Sequence, residues 1–289
     1  MEQRASKHNA GKNKVSKQRS NMQNIRYPAV AGTFYPADRQ QLAATIRGFL
    51  DSAGADAGLV FPKAMIVPHA GYIYSGQIAA EAYARLAAGP KTIRRVVLLG
   101  PAHRLAVRGL ALPEADVFET PLGRVALDRA AMTLLRALPQ VLVNAEAHAH
   151  EHALEVQLPF LQTVLEDFSL VPLLVGDAGA GEVAEALEAV WGDEETVIVV
   201  SSDLSHYLPY AQAQQIDHLT VQKILALEDS LTHQQACGGT PINGLVRAAS
   251  KHRLHPSLLA MCNSGDSAGD KQRVVGYAAF IFSAEAGDV

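Results

Sequence analysis

Short apolar runs rich in β-branched residues recur along this chain between segments whose apolar residues repeat with helical spacing. That alternation constrains the fold more than any other feature. The runs span 64–67, 95–99, 170–175, 196–200 and 274–282, and their continuous apolar character suits strands buried on both faces. Leu42, Ile46 and Phe49 mark one helix, while Leu154, Leu158, Leu161 and Leu165 line one apolar face of another, following the i, i+4, i+7, i+11 rule. Further helical patterns cover 77–87, 128–138, 182–191, 211–227 and 242–251. Strands alternating with helices predict an α/β fold, a single three-layer α/β/α domain around a largely parallel or mixed sheet. No internal repeat and no Pro/Gly-rich linker divides residues 27–289.

Composition removes competing classes. Of 289 residues, 48% are hydrophobic and two are cysteine, which excludes a disordered chain and a small disulfide-stapled domain. No window approaches the roughly 18 consecutive apolar residues of a membrane-spanning helix, and the N-terminus lacks the apolar stretch of a signal peptide. A cytoplasmic address with reduced thiols is the resulting expectation. Residues 1–26 stand apart, with seven basic residues against Glu2 alone, leaving 18 basic against 28 acidic residues in the remainder, a net of -10. The first 26 residues read as a disordered basic tail, either a solvated extension or an arm for polyanions. The acidic body argues against nucleic acid as the main partner.

Three of the strand-like runs end alike. The run 64–67 leads into Pro68-His69-Ala70-Gly71-Tyr72, 95–99 into Gly100-Pro101-Ala102-His103, and 196–200 into Ser201-Ser202-Asp203-Leu204-Ser205-His206. In open α/β sheets, ligands and catalytic groups gather beyond the carboxyl ends of the strands, so three imidazoles can converge there. Histidine serves both as a metal ligand and as a proton carrier near neutral pH. Spacing alone decides neither the role nor the metal.

Cys237 opens Cys237-Gly238-Gly239-Thr240-Pro241, where Thr240 is placed to cap a helix beginning at Pro241. A thiol near a helix start has a lowered pKa; the alternative is a buried free cysteine. Cys262 sits in an apolar run, 257–262, and reads as core. In the cluster His148-Ala149-His150-Glu151-His152-Ala153-Leu154-Glu155, His152 and Glu155 are spaced i, i+3 at a helix start and can share a face. His148 and His150 precede the helix and read as exposed. Asp203 can orient an imidazole or cap the helix that follows. Tyr72, Tyr74 and Tyr207 flank these positions, as pocket lining or as packing.

These motifs, preceded by Arg26-Tyr27-Pro28-Ala29-Val30-Ala31-Gly32-Thr33-Phe34-Tyr35-Pro36 and joined by the 152–160 stretch, stand in the order seen in the Memo family. The chain resembles that family over about residues 26–283, in particular its prokaryotic AmmeMemoRadiSam system protein B type. The resemblance implies a fold similar to class III extradiol dioxygenases and one domain over 27–283. It also implies a single metal site, with His69, His103 and Cys237 matching the ligands and iron (Fe2+) or copper as the metal. His206 matches a further pocket histidine suited to acid/base work, with His152, Glu155 and Asp203 as further candidates around it. The dioxygenases use two histidines and a carboxylate, so a cysteine ligand sets this chain apart from them. Gln157 and Arg104 stand where some members carry histidine.

A thiolate with two imidazoles suits iron, copper or zinc better than magnesium or calcium. With iron or copper the expectation is an oxidoreductase acting on a small molecule or peptide. With zinc holding one water it is a hydrolase. The competing class is a non-enzymatic adaptor that binds phosphopeptides or other anions in the same pocket. The resemblance also implies action beside AMMECR-type and radical-SAM proteins.

Overall fold

The computed structural model describes residues 23–54, 61–87 and 92–284. In chain order the elements are β1 (Ile25–Arg26), α1 (Arg39–Ser52), β2 (Ala64–Val67), α2 (Tyr72–Ala87), β3 (Arg95–Pro101), β4 (Leu110–Leu112), β5 (Val117–Thr120), β6 (Gly123–Ala126), α3 (Arg129–Leu135) and β7 (Val141–Val143). They continue with α4 (Ala145–Ala149), a 3-10 turn (Glu155–Gln157), α5 (Leu158–Val164), β8 (Ser169–Val175), α6 (Ala180–Ala189), β9 (Thr196–Ser201) and β10 (His206–Leu208). The last elements are α7 (Tyr210–Leu225), α8 (Gly239–Lys251), β11 (His255–Asn263), α9 (Ser264–Ser267) and β12 (Val274–Ser283).

The main sheet runs β10-β12-β2-β9-β3-β8-β4-β7, with β11 on β12. Its centre, β2-β9-β3-β8, is parallel, in a register that sets Ile66 beside Val200, Val97 beside Ile198 and Leu99 beside Leu173. These strands are almost wholly buried, which is why they read as unbroken apolar runs. The flanks make the sheet mixed, since β12 is antiparallel to β2 and β4 to β8. The fold is thus α/β, as expected. Because the central strands are parallel, Val67, Ser201, Pro101 and Val175 all end on one edge, the edge that carries the site.

Helices α1, α2 and α5 form one packed group and α3, α6 and α8 another. In the first, the ring of Phe160 stacks on Tyr83 at 4.9 Å and meets Tyr72 at 5.0 Å. In the second, α8 approaches α6 so closely that a Cβ on Gly244 would lie 2.3 Å from Val183 Cγ1, a crossing only glycine permits. No helix among the described residues is long and apolar enough to cross a membrane.

Several boundaries differ from the sequence expectation. Of the basic tail, residues 1–22 lie outside the described residues, but Arg26 does not belong to a tail. It pairs with Phe118 in the small sheet β1-β5-β6 and is buried. The helix expected through Leu154 and Leu165 is shorter and divided. Pro159 has no N–H to give the Glu155 carbonyl, and the Leu158 N–H takes that carbonyl in a 3-10 turn before α5 begins. Residues 257–262 lie on the edge strand β11, where Leu258 is 38% exposed, while Leu259, Ala260, Met261 and Cys262 are partly buried and pack against the core.

Candidate metal centre

His69 and His103 sit just past the ends of β2 and β3, where the sequence places them. The third imidazole of the cluster is that of His152, from the turn before the 3-10 segment. One ligand atom from each of these three histidines lies within 4.8 Å of the others. The rings of His103 and His152 stack at 4.8 Å, and His69 stands edge-on to both, at 5.2 and 5.3 Å.

Hydrogen-bond accounting fixes which nitrogen is free in two of these rings, those of His69 and His103. Ser201 Oγ lies 2.6 Å from the Ala153 carbonyl, to which it can only donate, and it accepts from Gln157 Nε2 at 2.8 Å. With its single proton spent, Ser201 can only accept from His69 Nδ1 at 3.0 Å. His69 therefore carries its proton on Nδ1 and presents the lone pair of Nε2. Gln157 is held in turn by the Tyr83 hydroxyl at 2.9 Å and the Pro68 carbonyl at 2.9 Å. His103 Nδ1 gives its proton to Glu151 Oε1 at 2.9 Å, which frees its Nε2 likewise. His69 is 2% exposed. Burial, then the neighbouring imidazoles of His152 and His103, hold its basicity well below the ordinary value, so the ring stays neutral.

Glu151 is the residue that sequence reasoning missed. Besides the His103 ring it accepts the backbone N–H groups of His103 at 2.6 Å, His152 at 2.8 Å and Ala153 at 2.9 Å. Burial alone would raise its carboxyl, but hydrogen bonds from His103 and His152 outweigh that and hold it well below the carboxylate range. Its Oε1 is also 3.2 Å from the buried His152 Nδ1, so that ring too turns Nδ1 towards Glu151.

Cys237 Sγ lies 3.3 Å from His69 Nε2, 3.7 Å from the Asp203 carbonyl and 3.8 Å from Ser202 Oγ. The helix that follows starts earlier than expected, at Gly239 with Gly238 as its cap, and the Gly238 N–H goes to Ser202 Oγ at 2.9 Å. The expected lowering of the thiol pKa does not occur. Burial, reinforced by the Asp203 carboxylate, pushes it up to about 12.

Asp203 turns its carboxylate back onto the β2 exit, where Oδ1 accepts from His69 N at 2.7 Å and Ala70 N at 3.3 Å. Its Oδ2 is 4.0 Å from His69 Nε2, and burial raises its pKa. His206, on β10, donates from Nδ1 to the Leu204 carbonyl at 2.8 Å, leaving Nε2 free. The loop behind it is pinned by Asp217, buried in α7, which accepts the Ser205 N–H at 3.0 Å. The other Asp217 oxygen lies where a Cβ on Gly276 would come within 2.0 Å. Tyr207, next to His206, holds φ at 57°, a conformation few non-glycine residues adopt; it is exposed, whereas Tyr72 is buried and Tyr74 packs on the core.

The structure separates Glu155 from this cluster. It is fully buried and receives Arg26 Nη1, Ala29 N at 2.8 Å, Val30 N at 3.0 Å and the Tyr35 hydroxyl at 2.6 Å. It therefore straps the N-terminal segment down, and that strap sets the Phe34 ring 4.7 Å from His152. His148, expected to be exposed, is buried with Nε2 2.9 Å from the Ala111 carbonyl, while His150 is exposed.

A cleft of about 800 Å3 opens beside these groups, lined by His103, His206, His233 and Cys237 together with an apolar wall that includes Val107 and Leu208. Fold and site define an α/β protein with a three-histidine group, at the carboxyl ends of parallel strands, that could hold a metal ion. The Memo-like protein family model matches residues 26–281, and the chain belongs to that family. A MEMO1 family protein of Aquifex aeolicus is 35% identical, over 89% of this chain and 99% of its own length. One from Aeropyrum pernix is 37% identical, over 88% of this chain and 98% of its own. Among solved structures, uncharacterized protein JW3007 from Escherichia coli K12 is 16% identical with a TM-score of 0.49, over 75% of this chain and 98% of that one.

Proposed function

We propose that this chain is a metal-dependent oxidoreductase of the non-haem iron or copper kind, with His69, His103 and Cys237 holding the metal and His152 completing the donor set. The observation that carries the reading is the commitment of Nδ1 in His69 and His103 to Ser201 and Glu151. Both rings are thereby locked with Nε2 free, the arrangement that metal-binding histidines use. The adjacent thiol adds a soft donor, and a mixed imidazole and sulfur set suits iron, copper or zinc and not magnesium or calcium. The His152 ring, stacked on His103 with a ligand atom within 4.8 Å of the other two histidines, fits the same group. Bound there, iron or copper would supply one-electron exchange with a substrate or dioxygen.

The protein's own groups handle position and protons. His206 keeps its Nδ1 proton on Leu204, so Nε2 is the atom that takes a proton from a group in the cleft. Asp203 holds the His69 backbone, and Asp217 holds the loop that presents His206. Action beside AMMECR-type and radical-SAM proteins, as the family resemblance implies, is part of this proposal. A zinc hydrolase is the second reading, favoured by the three imidazoles themselves, since three histidines and a water form one known catalytic zinc set.

Dioxygen uptake by protein loaded with iron(II) or copper, in the presence of a panel of phenols, tests the reading. Uptake that disappears in His69→Ala and His206→Ala supports it. Iron and copper forms that are inert, beside a zinc form that hydrolyses an activated ester, would replace it with the second reading.

A further inference from the structure

Helix α7 and strand β11 share a surface almost without charge on a body that is otherwise acidic. Residues 27–289 carry 18 basic against 28 acidic residues, and α1, a helix of similar length, exposes Arg39, Arg47 and Asp51. In α7 the one acidic residue, Asp217, is buried against Gly276, and the one lysine, Lys223, reaches the Ser230 carbonyl at 3.5 Å. The exposed residues of α7 are glutamine, alanine, leucine and one histidine, with Leu219 57% and Leu225 41% exposed. Beside it, β11 holds no acidic residue, lysine or arginine, and α7 packs on both β11 and β12. The far edge of β11 pairs with no strand of the described residues, and no backbone group from 256 to 262 bonds outside the ladder to β12. Pro256 and an irregular step between Leu258 and Ala260 are all that interrupts that edge; the charged side chains that guard natural sheet edges are absent from it.

The complement of an open strand edge is another open edge, and charge selects whose. A strongly acidic or basic partner is recognised through opposite charges, and this surface offers none. A second copy of the chain requires the reverse, because near a two-fold axis each residue meets its own equivalent and like charges there repel. We propose that two copies of this chain associate about a two-fold axis, with β11 antiparallel to β11 of the copy and α7 beside α7. The geometry permits both contacts together. Strands lie about 4.8 Å apart, so a helix seated over the β11–β12 pair stands about 10 Å from its equivalent across the axis, close to the spacing of packed helices. The side of α7 turned away from Lys223 carries Ala211, Gln214, His218 and Leu225 in one stripe, which fills that contact. A strand of nine residues is about 30 Å long and sheet plus helix about 20 Å deep, so each copy covers about 600 Å2 and the pair about 1,200 Å2, above the ~1,000 Å2 of a specific interface. The pair closes on itself, so no longer assembly grows from that edge.

Sedimentation velocity of the full chain over a range of concentrations reads the association, and amide hydrogen exchange at low and high concentration reads the edge. The expected result is a monomer–dimer equilibrium in which residues 257–262 exchange more slowly as the dimer forms. Leu258→Lys and Leu225→Lys each set like charges across the axis and should weaken the dimer by at least about 10-fold, with the melting temperature of the monomer kept. Leu219→Lys, on another flank of α7, should leave the dimer as it is. Melting curves identify a variant that fails to fold, and Leu225→Lys, at an exposed helix position, then carries the test. A chain still monomeric at ~1 mM, a dimer indifferent to Leu258→Lys and Leu225→Lys or equally weakened by Leu219→Lys, or one in which 257–262 gains no protection would overturn the proposal.

Discussion

His69 and Cys237 face each other across 3.3 Å, Sγ against the one imidazole nitrogen that Ser201 leaves without a proton. The Ser201 hydroxyl, spent on Ala153 and filled by Gln157, is therefore what directs His69 towards the thiol and the cluster. Ser201→Ala removes the acceptor for Nδ1 without touching a ligand. The expected outcome is a loss of metal affinity of about 10- to 100-fold, read by competition with a chromophoric chelator, in a protein that still folds.

Glu151 performs the same task for His103 through Oε1, which also accepts the His152 and Ala153 N–H groups and so sets the turn that delivers His152, while Oε2 takes the His103 N–H. Glu151→Gln keeps the size but supplies one acceptor oxygen where two are used. A fall in metal affinity of similar size, about 10- to 100-fold, is expected, together with a lower melting temperature of the metal-free protein. Unchanged affinity would show that His103 and His152 are placed by packing alone.

Glu155 belongs to the fold. Its removal leaves the Arg26 guanidinium buried without a counter-charge, a defect that costs about 3–5 kcal/mol. Glu155→Ala should show this loss in urea unfolding. Glu155→Gln, which can still accept from Tyr35 or the strap, should lose less and keep its metal content. Metal loss in Glu155→Gln at undiminished stability would instead give Glu155 a role at the centre.

His148 makes the fold sensitive to acid. Burial is the largest cause of its low basicity, pushing its pKa from 6.5 to about 4, and the Ala111 carbonyl only partly opposes it. Between those values the unfolded chain binds a proton that the folded chain refuses. The stability held by the neutral ring is therefore complete above about pH 6.5 and is lost as pH falls towards 4, by about 3 kcal/mol in all. Melting temperatures from pH 7 to pH 4.5 should fall less steeply in His148→Gln than in the parent.

Asp217 reaches the site through the backbone, by accepting the Ser205 N–H behind His206. Asp217→Asn, with one carbonyl oxygen left to accept, should preserve the Nδ1-protonated form of His206, seen in the ring nitrogen shifts of 15N-histidine-labelled protein. Asp217→Ala should allow the other tautomer to appear.

Parts of this architecture were legible from residue pattern. The buried parallel strands declare themselves because both faces are apolar, and so the sequence places His69 and His103 at strand ends, whereas His206 opens β10 and the third imidazole of the cluster is His152. Strands such as β4, β7 and β10 are three residues each, too short to carry a period. His152 and Glu155 look like partners on one helix face, but no continuous helix forms there. Pro159 forces a 3-10 turn between them and α5, and the two side chains diverge, one to the cluster and one to the N-terminal strap. Glu151 left no signal, because most of its bonds go to backbone N–H groups, which every sequence possesses.

The metal content of protein purified without oxygen, measured by elemental analysis beside His69→Ala and Cys237→Ser, tests the central claim most directly. The expected result is near-stoichiometric iron or copper in the parent and its loss in both variants. A parent protein without metal, or one whose metal survives both substitutions, would contradict it.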